Sequence, residues 1–156
     1  MFPKPIKKTK EKKFLKRSGK LHKVRKTSVG RAKNRAWIAF SAYIRTRDCL
    51  LTTGTKTEGK CFTCGALKPF ELLDAGHFVA GRFNKFLLDE RQVHAQCKYC
   101  NNALQGYGAR YYTKMVDLFG ESEVEKMLIE NNILEKYSVN DWLDKEKIYK
   151  EMLLNL

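Results

Sequence analysis

Apolar side chains recur at helical spacing over residues 34–51, where Trp37, Phe40 and Ile44 share one face. Arg45, Arg47 and Asp48 fall largely elsewhere around that helix. Residues 52–60 are rich in Thr and Gly and read as a loop or a ragged strand. Residues 61–65 read as a tight turn. Short apolar runs around Asp74 and His77 predict a strand with a bend over 70–79. A loop with Arg82 and Lys85 follows over 80–90, then a second short strand over 92–96. A helix is predicted from Cys97 to about Gln105.

Beyond Gly106 and Gly108 the pattern turns helical again. One helix is predicted over 110–119, ended by Gly120. A second covers 121–131, with Val124, Met127 and Leu128 on one side. The last starts at Ser138, an N-cap with Asp141 three residues on. Trp142, Tyr149, Met152 and Leu156 recur along it at three, four and seven residues. No internal repeat is visible.

Charge changes this picture at the N-terminus. The chain has 156 residues with 31 Lys+Arg and 17 Asp+Glu, a net charge of +14. Residues 1–36 hold 15 of the basic side chains and a single acid, Glu11. The remaining 120 residues carry 16 basic and 16 acidic side chains. The excess is therefore an appendage. Residues 1–34 are expected to be a disordered arm, because so polar a segment cannot bury a core. Such an arm condenses on phosphates and releases counterions. A solvated tail is the bland reading. Residues 115–156 lean the other way, with ten acids and five bases.

No apolar run approaches the ~18 residues of a spanning helix. The basic start is not followed by the apolar stretch of a secretory signal. The expectation is a cytoplasmic protein with no membrane partner, and five cysteines that are thiols or metal ligands.

Those cysteines carry the strongest chemical signal. Cys61-x-x-Cys64 is followed 33 residues later by Cys97-x-x-Cys100. Two such pairs suit one tetrahedral Zn2+ with four thiolates, a structural site that ties distant segments together. A redox pair would predict one Cys-x-x-Cys, not two. Cys49 reads as a small buried hydrophobe.

Residues fit for hydrolysis lie between and beside the pairs. Asp74-Ala75-Gly76-His77 falls in the intervening segment, and Asn101 directly follows Cys100. If one ion gathers the two pairs, Asp74, His77 and Asn101 converge. A carboxylate with an amide oxygen suits a hard cation, Mg2+ or Mn2+. His77 then serves as general base. Singly, each residue has a structural alternative: a hydrogen-bonded histidine, a helix cap. His94 reads as a phosphate contact or a structural residue. Arg82, Lys85, Arg91 and Lys98 are candidate phosphate contacts, with a solvated charged surface as the alternative. Tyr107, Tyr111 and Tyr112 either stack on bases or fill the junction to the C-terminal helices, the favoured reading.

The run Cys61 to Gly65, then Asp74-Ala75-Gly76-His77-Phe78, then Asp89 through Asn101 resembles the phage NinG/Rap recombination proteins. Tyr43-Ile44-Arg45-Thr46-Arg47-Asp48 and the stretch from Tyr137 to Trp142 are also similar, so the likeness covers residues 35–156. The constellation is similar to that of phage recombination endonuclease VII as well. The resemblance implies a DNA endonuclease of the HNH class, acting on Holliday junctions or other branched DNA in phage recombination. It puts structural zinc on Cys61, Cys64, Cys97 and Cys100, the catalytic cation on Asp74 and Asn101, and the base on His77. The sequence departs from the usual HNH pattern at Gln92, where an Asn is customary, and at Gly76, where an acid or His often precedes the base.

The fold expected is α+β and mostly helical: a zinc-stapled ββα-metal (HNH-like) core over 35–110, flanked by an N-terminal helix and a helical extension over 111–156. A branched substrate cut symmetrically would suit a homodimer. The host-cell cytoplasm is the expected location if a phage encodes the chain. The alternative function is a zinc-bound DNA-binding accessory protein without catalysis.

Overall fold

The computed structural model describes residues 27–79, 84–130, 133 and 135–156. It is a mostly helical α+β structure with two small antiparallel sheets. Helix α1 (Val29–Thr53) leads into β1 (Glu58–Lys60) and β2 (Leu67–Pro69). A 3-10 turn (Phe70–Leu72) opens β3 (Leu73–His77). The short α2 (Asn84–Leu87) precedes β4 (Val93–Cys97), which runs into a π-helical turn (Tyr99–Ala103). Helices α3 (Gly108–Phe119), α4 (Glu121–Glu130) and α5 (Val139–Leu154) complete the chain.

Helix α1 begins earlier than its apolar pattern predicts. Ser28 is its N-cap, its hydroxyl accepting from the Arg31 N–H at 3.4 Å. Residues 29–34 are thus helical, and Ala32 is fully buried, where a disordered arm was expected. Small side chains explain this: Ala32 and Ala36 let α1 lie close to its neighbour and extend the face begun by Phe40 and Ile44. The expectation for residues 1–26 lies outside the described residues. Gly54 ends the helix in the left-handed region (φ 73°), with its N–H on the Leu50 carbonyl.

Two apolar clusters form the body. Ala36, Phe40, Tyr43 and Ile44 of α1 enclose Trp142 of α5, together with Ala75, Leu87 and Val93. Tyr111 and Met115 of α3 meet Val124 and Met127 of α4. Between them, β3 pairs with β4 in the register Leu73↔Cys97, Ala75↔Ala95, His77↔Val93. The hairpin lies on α1, where Cys49 is buried with Leu73 and Ala95. Gly59 of β1 is a further close approach, since a Cβ there would stand 2.6 Å from the Cys49 sulfur and 3.0 Å from its Cα.

The capping box at Ser138 and Asp141 is present. Leu156 and Leu128, predicted to pack, are exposed instead. Leu156 lies past the end of α5, and α4 buries only its Val124/Met127 stripe. The helix predicted from Cys97 is a π-helical turn that ends at Ala103. No helix among the described residues is long and apolar enough to cross a membrane.

Candidate metal centre and adjoining cleft

Each Cys-x-x-Cys pair is shaped by its backbone. The Cys61 N–H bonds the Ala66 carbonyl at 2.9 Å, and the Gly65 N–H bonds the Cys61 carbonyl at 2.8 Å. Gly65 turns the chain at φ 73°, which a side chain would strain. The Phe62 N–H bonds the Ala95 carbonyl at 2.8 Å, seating this turn on β4. Strand β4 ends on Cys97, and the π-helical turn raises Cys100 beside it.

The four sulfurs of Cys61, Cys64, Cys97 and Cys100 all lie within 4.8 Å of one another. Cys64 and Cys97 are 3.9 Å apart. Thiolates at about 2.3 Å from one tetrahedral zinc stand about 3.8 Å from each other. The cluster therefore has the dimensions and donor chemistry to hold a metal such as zinc. Burial raises the Cys61 thiol, but hydrogen bonds from the Cys64 backbone, the Thr63 hydroxyl and the Cys97 backbone bring it down to about 6. Burial pushes Cys100 up to about 12. Thiols this close cannot all ionise without a cation between them.

Beside the cluster is a cleft of about 360 Å³ lined by Trp37, Ser41, Arg45, Asp74, His77 and Asn101. The three residues singled out for hydrolysis thus border one space. Asp74 Oδ2 accepts from Asn101 Nδ2 at 3.2 Å and from Asn102 Nδ2 at 3.0 Å. Asn101 therefore turns its nitrogen to the carboxylate, and joint ligation of a cation by both oxygens requires that amide to turn over. The His77 ring stacks on Trp37, centroids 5.0 Å apart and planes 19° apart. His77 Nε2 stands 3.1 Å from the Leu87 carbonyl. A carbonyl only accepts, so Nε2 carries the proton and Nδ1 is the basic nitrogen. At Gly76, where an acid or His is more usual, a Cβ would stand 1.9 Å from Gln96 Oε1, so a side chain there requires the buried Gln96 side chain to move.

His94 is elsewhere. It pairs with Gly76, one position from the His77–Val93 pair, so the pleat turns the two imidazoles to opposite faces. Its ring stacks on Phe62 at 4.0 Å, and Nδ1 lies 3.6 Å from Asp48 Oδ2. It lines a second cleft of about 510 Å³ with Arg47, Asp48, Phe62 and Phe119. Lys85 Nζ is 3.9 Å from Glu130 Oε2, and Lys98 is exposed. Arg82 lies outside the described residues. Arg91 pairs with Asp89 at 2.9 Å and Glu123 at 3.1 Å. Tyr111 is core, donating its hydroxyl proton to the Gly76 carbonyl at 3.0 Å, whereas Tyr107 is exposed.

Sequence reasoning missed Ser41, Arg45, Asn102 and Asp48. Trp37, Ser41 and Arg45 recur at four-residue spacing on α1, a signal that was available. Asp48 left no such trace. It is buried, accepts the Ala95 N–H at 2.6 Å and pairs with Arg47 at 2.8 Å.

Fold and site define a small α+β protein with a tetracysteine cluster beside a carboxylate, imidazole and amide cleft. The chain belongs to the phage NinG family: the family described as Bacteriophage Lambda NinG protein matches residues 4–156. Protein ninG of Escherichia phage 933W is 30% identical over 95 residues, 60% of this chain and 42% of its own length. Protein ninG of Escherichia phage lambda is 30% identical over 95 residues, covering 60% and 41%. The Salmonella phage P22 relative is 30% identical over 90 residues, covering 57% and 40%. The matched stretch spans about two fifths of the length of these curated relatives. No solved structure matches the chain.

Proposed function

We propose that this protein is a metal-dependent endonuclease of the HNH class that hydrolyses DNA phosphodiesters, at Holliday junctions or other branched DNA in phage recombination. One observation carries the reading. Asp74, His77 and Asn101 border a single cleft, and the Leu87 carbonyl fixes the His77 proton on Nε2. Nδ1 is then the atom that takes a proton from the attacking water. The Trp37 ring holds the imidazole in plane. Asp74 and Asn101 would hold Mg2+ or Mn2+, which when bound offsets charge on the phosphate and the leaving oxygen. The tetracysteine cluster would hold structural zinc and keep Asn101 beside β3. Lys85, Lys98 and the basic segment before residue 27 supply cations for phosphates.

A second reading has an observation of its own. Asp74 Oδ2 is occupied by two amide N–H donors. That arrangement favours a zinc-bound DNA-binding accessory protein in which Asp74 is only a structural acceptor.

Purified protein is incubated with a synthetic four-way junction and with a linear duplex, in Mg2+, Mn2+ and EDTA. Scission of the junction that stops in EDTA is expected. His77→Ala should bind the junction as before and cut about 10²- to 10⁴-fold more slowly. Binding without scission in either metal selects the second reading. Wild-type cutting by His77→Ala removes His77 from the chemistry.

A further inference from the structure

We propose that Arg45, seated on α1 in the Asp74–His77–Asn101 cleft, forms a phosphate-binding site that takes one phosphodiester group of a nucleic acid strand. This rests on the reading of the cleft as a nucleic acid site, and it adds a residue that the motifs do not contain.

The two partly buried arginines of α1 differ. Arg47 is fully engaged: Nε faces Asp48 at 2.8 Å, and its terminal nitrogens reach the Glu90 and Val93 carbonyls at 3.1 Å each. Among the described residues Arg45 has no carboxylate within 4 Å. Its Nε donates to the Ser41 carbonyl at 3.2 Å and its Nη1 to the Leu73 carbonyl at 3.4 Å. Its guanidinium carbon lies 4.3 Å from the Phe70 ring centre. These contacts aim the fork while using only two of its five donors. Asp74 is the acid of this cleft, and its Oδ2 faces the Asn101 and Asn102 amides.

Asp74 and Glu71 act on Arg45 only through space, and a half-buried positive charge with no acid in contact is costly to keep. A strut between α1 and β3 would explain two hydrogen bonds and the ring contact. It would not explain why a fork with further N–H donors lines an open cleft. A bound oxyanion explains that, and a guanidinium fork matches two phosphate oxygens in one plane. A phosphodiester is favoured over a protein carboxylate because the same cleft holds the imidazole and because the chain carries a net charge of +14.

The probe is thymidine 3′,5′-bisphosphate, titrated into the full-length protein in EDTA so that neither cleavage nor a divalent ion contributes. Trp37 lines the cleft, whereas Trp142, the other tryptophan, is buried at the α5 contact, so tryptophan emission reports the site. Saturable binding that weakens with salt is expected. Arg45→Gln should bind about tenfold more weakly, and Arg45→Lys should fall between, keeping charge and losing the fork. In the wild-type protein the bisphosphate should slow phenylglyoxal modification of Arg45 about fivefold while leaving exposed Arg110 unaffected. Arg45→Gln binding within about twofold of wild type, with an unchanged melting temperature, overturns the proposal. So does an unprotected Arg45, and that measurement decides alone if the variants do not fold. Stronger competition by glutarate than by the bisphosphate assigns the site to carboxylates and also overturns it. A chain that binds through Arg45 yet cuts no junction keeps this site and loses the nuclease. A chain that cuts equally well as Arg45→Gln loses only this site.

Discussion

The two ends of α1 are held by different physics. Its first two thirds are gripped by apolar contact: Ala32, Ala36, Phe40 and Ile44 lie against α5, and Trp142 is fully buried there. Its last third is gripped by polar and sulfur contacts. Asp48 takes the Ala95 N–H, Arg47 reaches two β4-side carbonyls, and Cys49 touches Gly59. Beyond it lie the four cysteines. Apolar contact there is limited to the small Cys49, Leu73 and Ala95 cluster, so order at that end rests more on charge pairing and on an ion the sulfurs could hold. The α5 end adds charge pairing of its own, Arg35 and Lys150 on buried Glu146 at 2.8 and 2.6 Å, to a much larger apolar contact.

Breaking the sulfur cluster should have the largest effect. Structural zinc binds zinc-finger peptides with about 10–16 kcal/mol, comparable to the ~5–15 kcal/mol that holds a whole domain. Cys97→Ser, or removal of metal by a chelator, should abolish the cooperative melting of the β3/β4 end. The readouts are zinc content and circular dichroism. A Cys97→Ser protein that melts like wild type would show that the cluster does not hold a stabilising ion.

Trp142→Ala should come next, at about 3–5 kcal/mol, because it opens a cavity in the apolar end. Among the described residues the Trp142 Nε1 has no hydrogen-bond partner, so truncation orphans no acceptor there. Denaturant melts should show this loss with zinc content unchanged. Zinc loss in this variant would mean that the two ends are a single unit.

Asp48→Asn probes the other end, at about 3 kcal/mol for breaking a buried pair. It should also change the response to acid. Burial raises the Asp48 carboxyl, but hydrogen bonds from His94 and Arg47 and their charges hold it below the usual carboxylate range. A depressed folded value stabilises the protein above the unfolded pKa of about 3.9. That stability is lost as pH falls through the folded value. Melting temperature measured from pH 7 down to pH 3 should fall less steeply in Asp48→Asn than in wild type. Parallel curves would remove Asp48 from the acid limb.

The same contrast explains what the sequence reveals. The cysteine pairs are legible because their spacing is set by ligand geometry, and β3 and β4 because their apolar runs are short and bounded. The Phe40/Ile44 stripe and the Ser138 cap follow from helical periodicity and from orphan N–H groups. Asp48 is not legible in that way. A charged residue on a helix reads as solvent-facing until the strand that supplies its N–H or carbonyl partners is known, and that strand lies about 47 residues away for Asp48. The π-helical turn at Tyr99–Ala103 is likewise set by tertiary fit: Cys100 is buried with Cys61 and Cys97 while Asn101 and Asn102 reach Asp74.

The smallest change tests the contrast most cleanly. Ser138 caps α5, its hydroxyl accepting the Asp141 N–H at 3.3 Å. In return the Asp141 carboxylate accepts the Ser138 N–H at 2.7 Å. Ser138→Ala should cost about 1 kcal/mol. The loss falls on the helix that carries Trp142, whose apolar cluster meets the cleft through Trp37 and Ala75 and not through the cleft's polar residues. It should therefore lower the melting temperature by a few degrees, leave zinc content and junction affinity unchanged, and keep the acid limb of wild type. Asp48→Asn lowers stability too, but it alters that limb. A Ser138→Ala protein with weakened junction binding would place α5 in the nucleic acid interface. The apolar end would then no longer be a support standing apart from the chemistry.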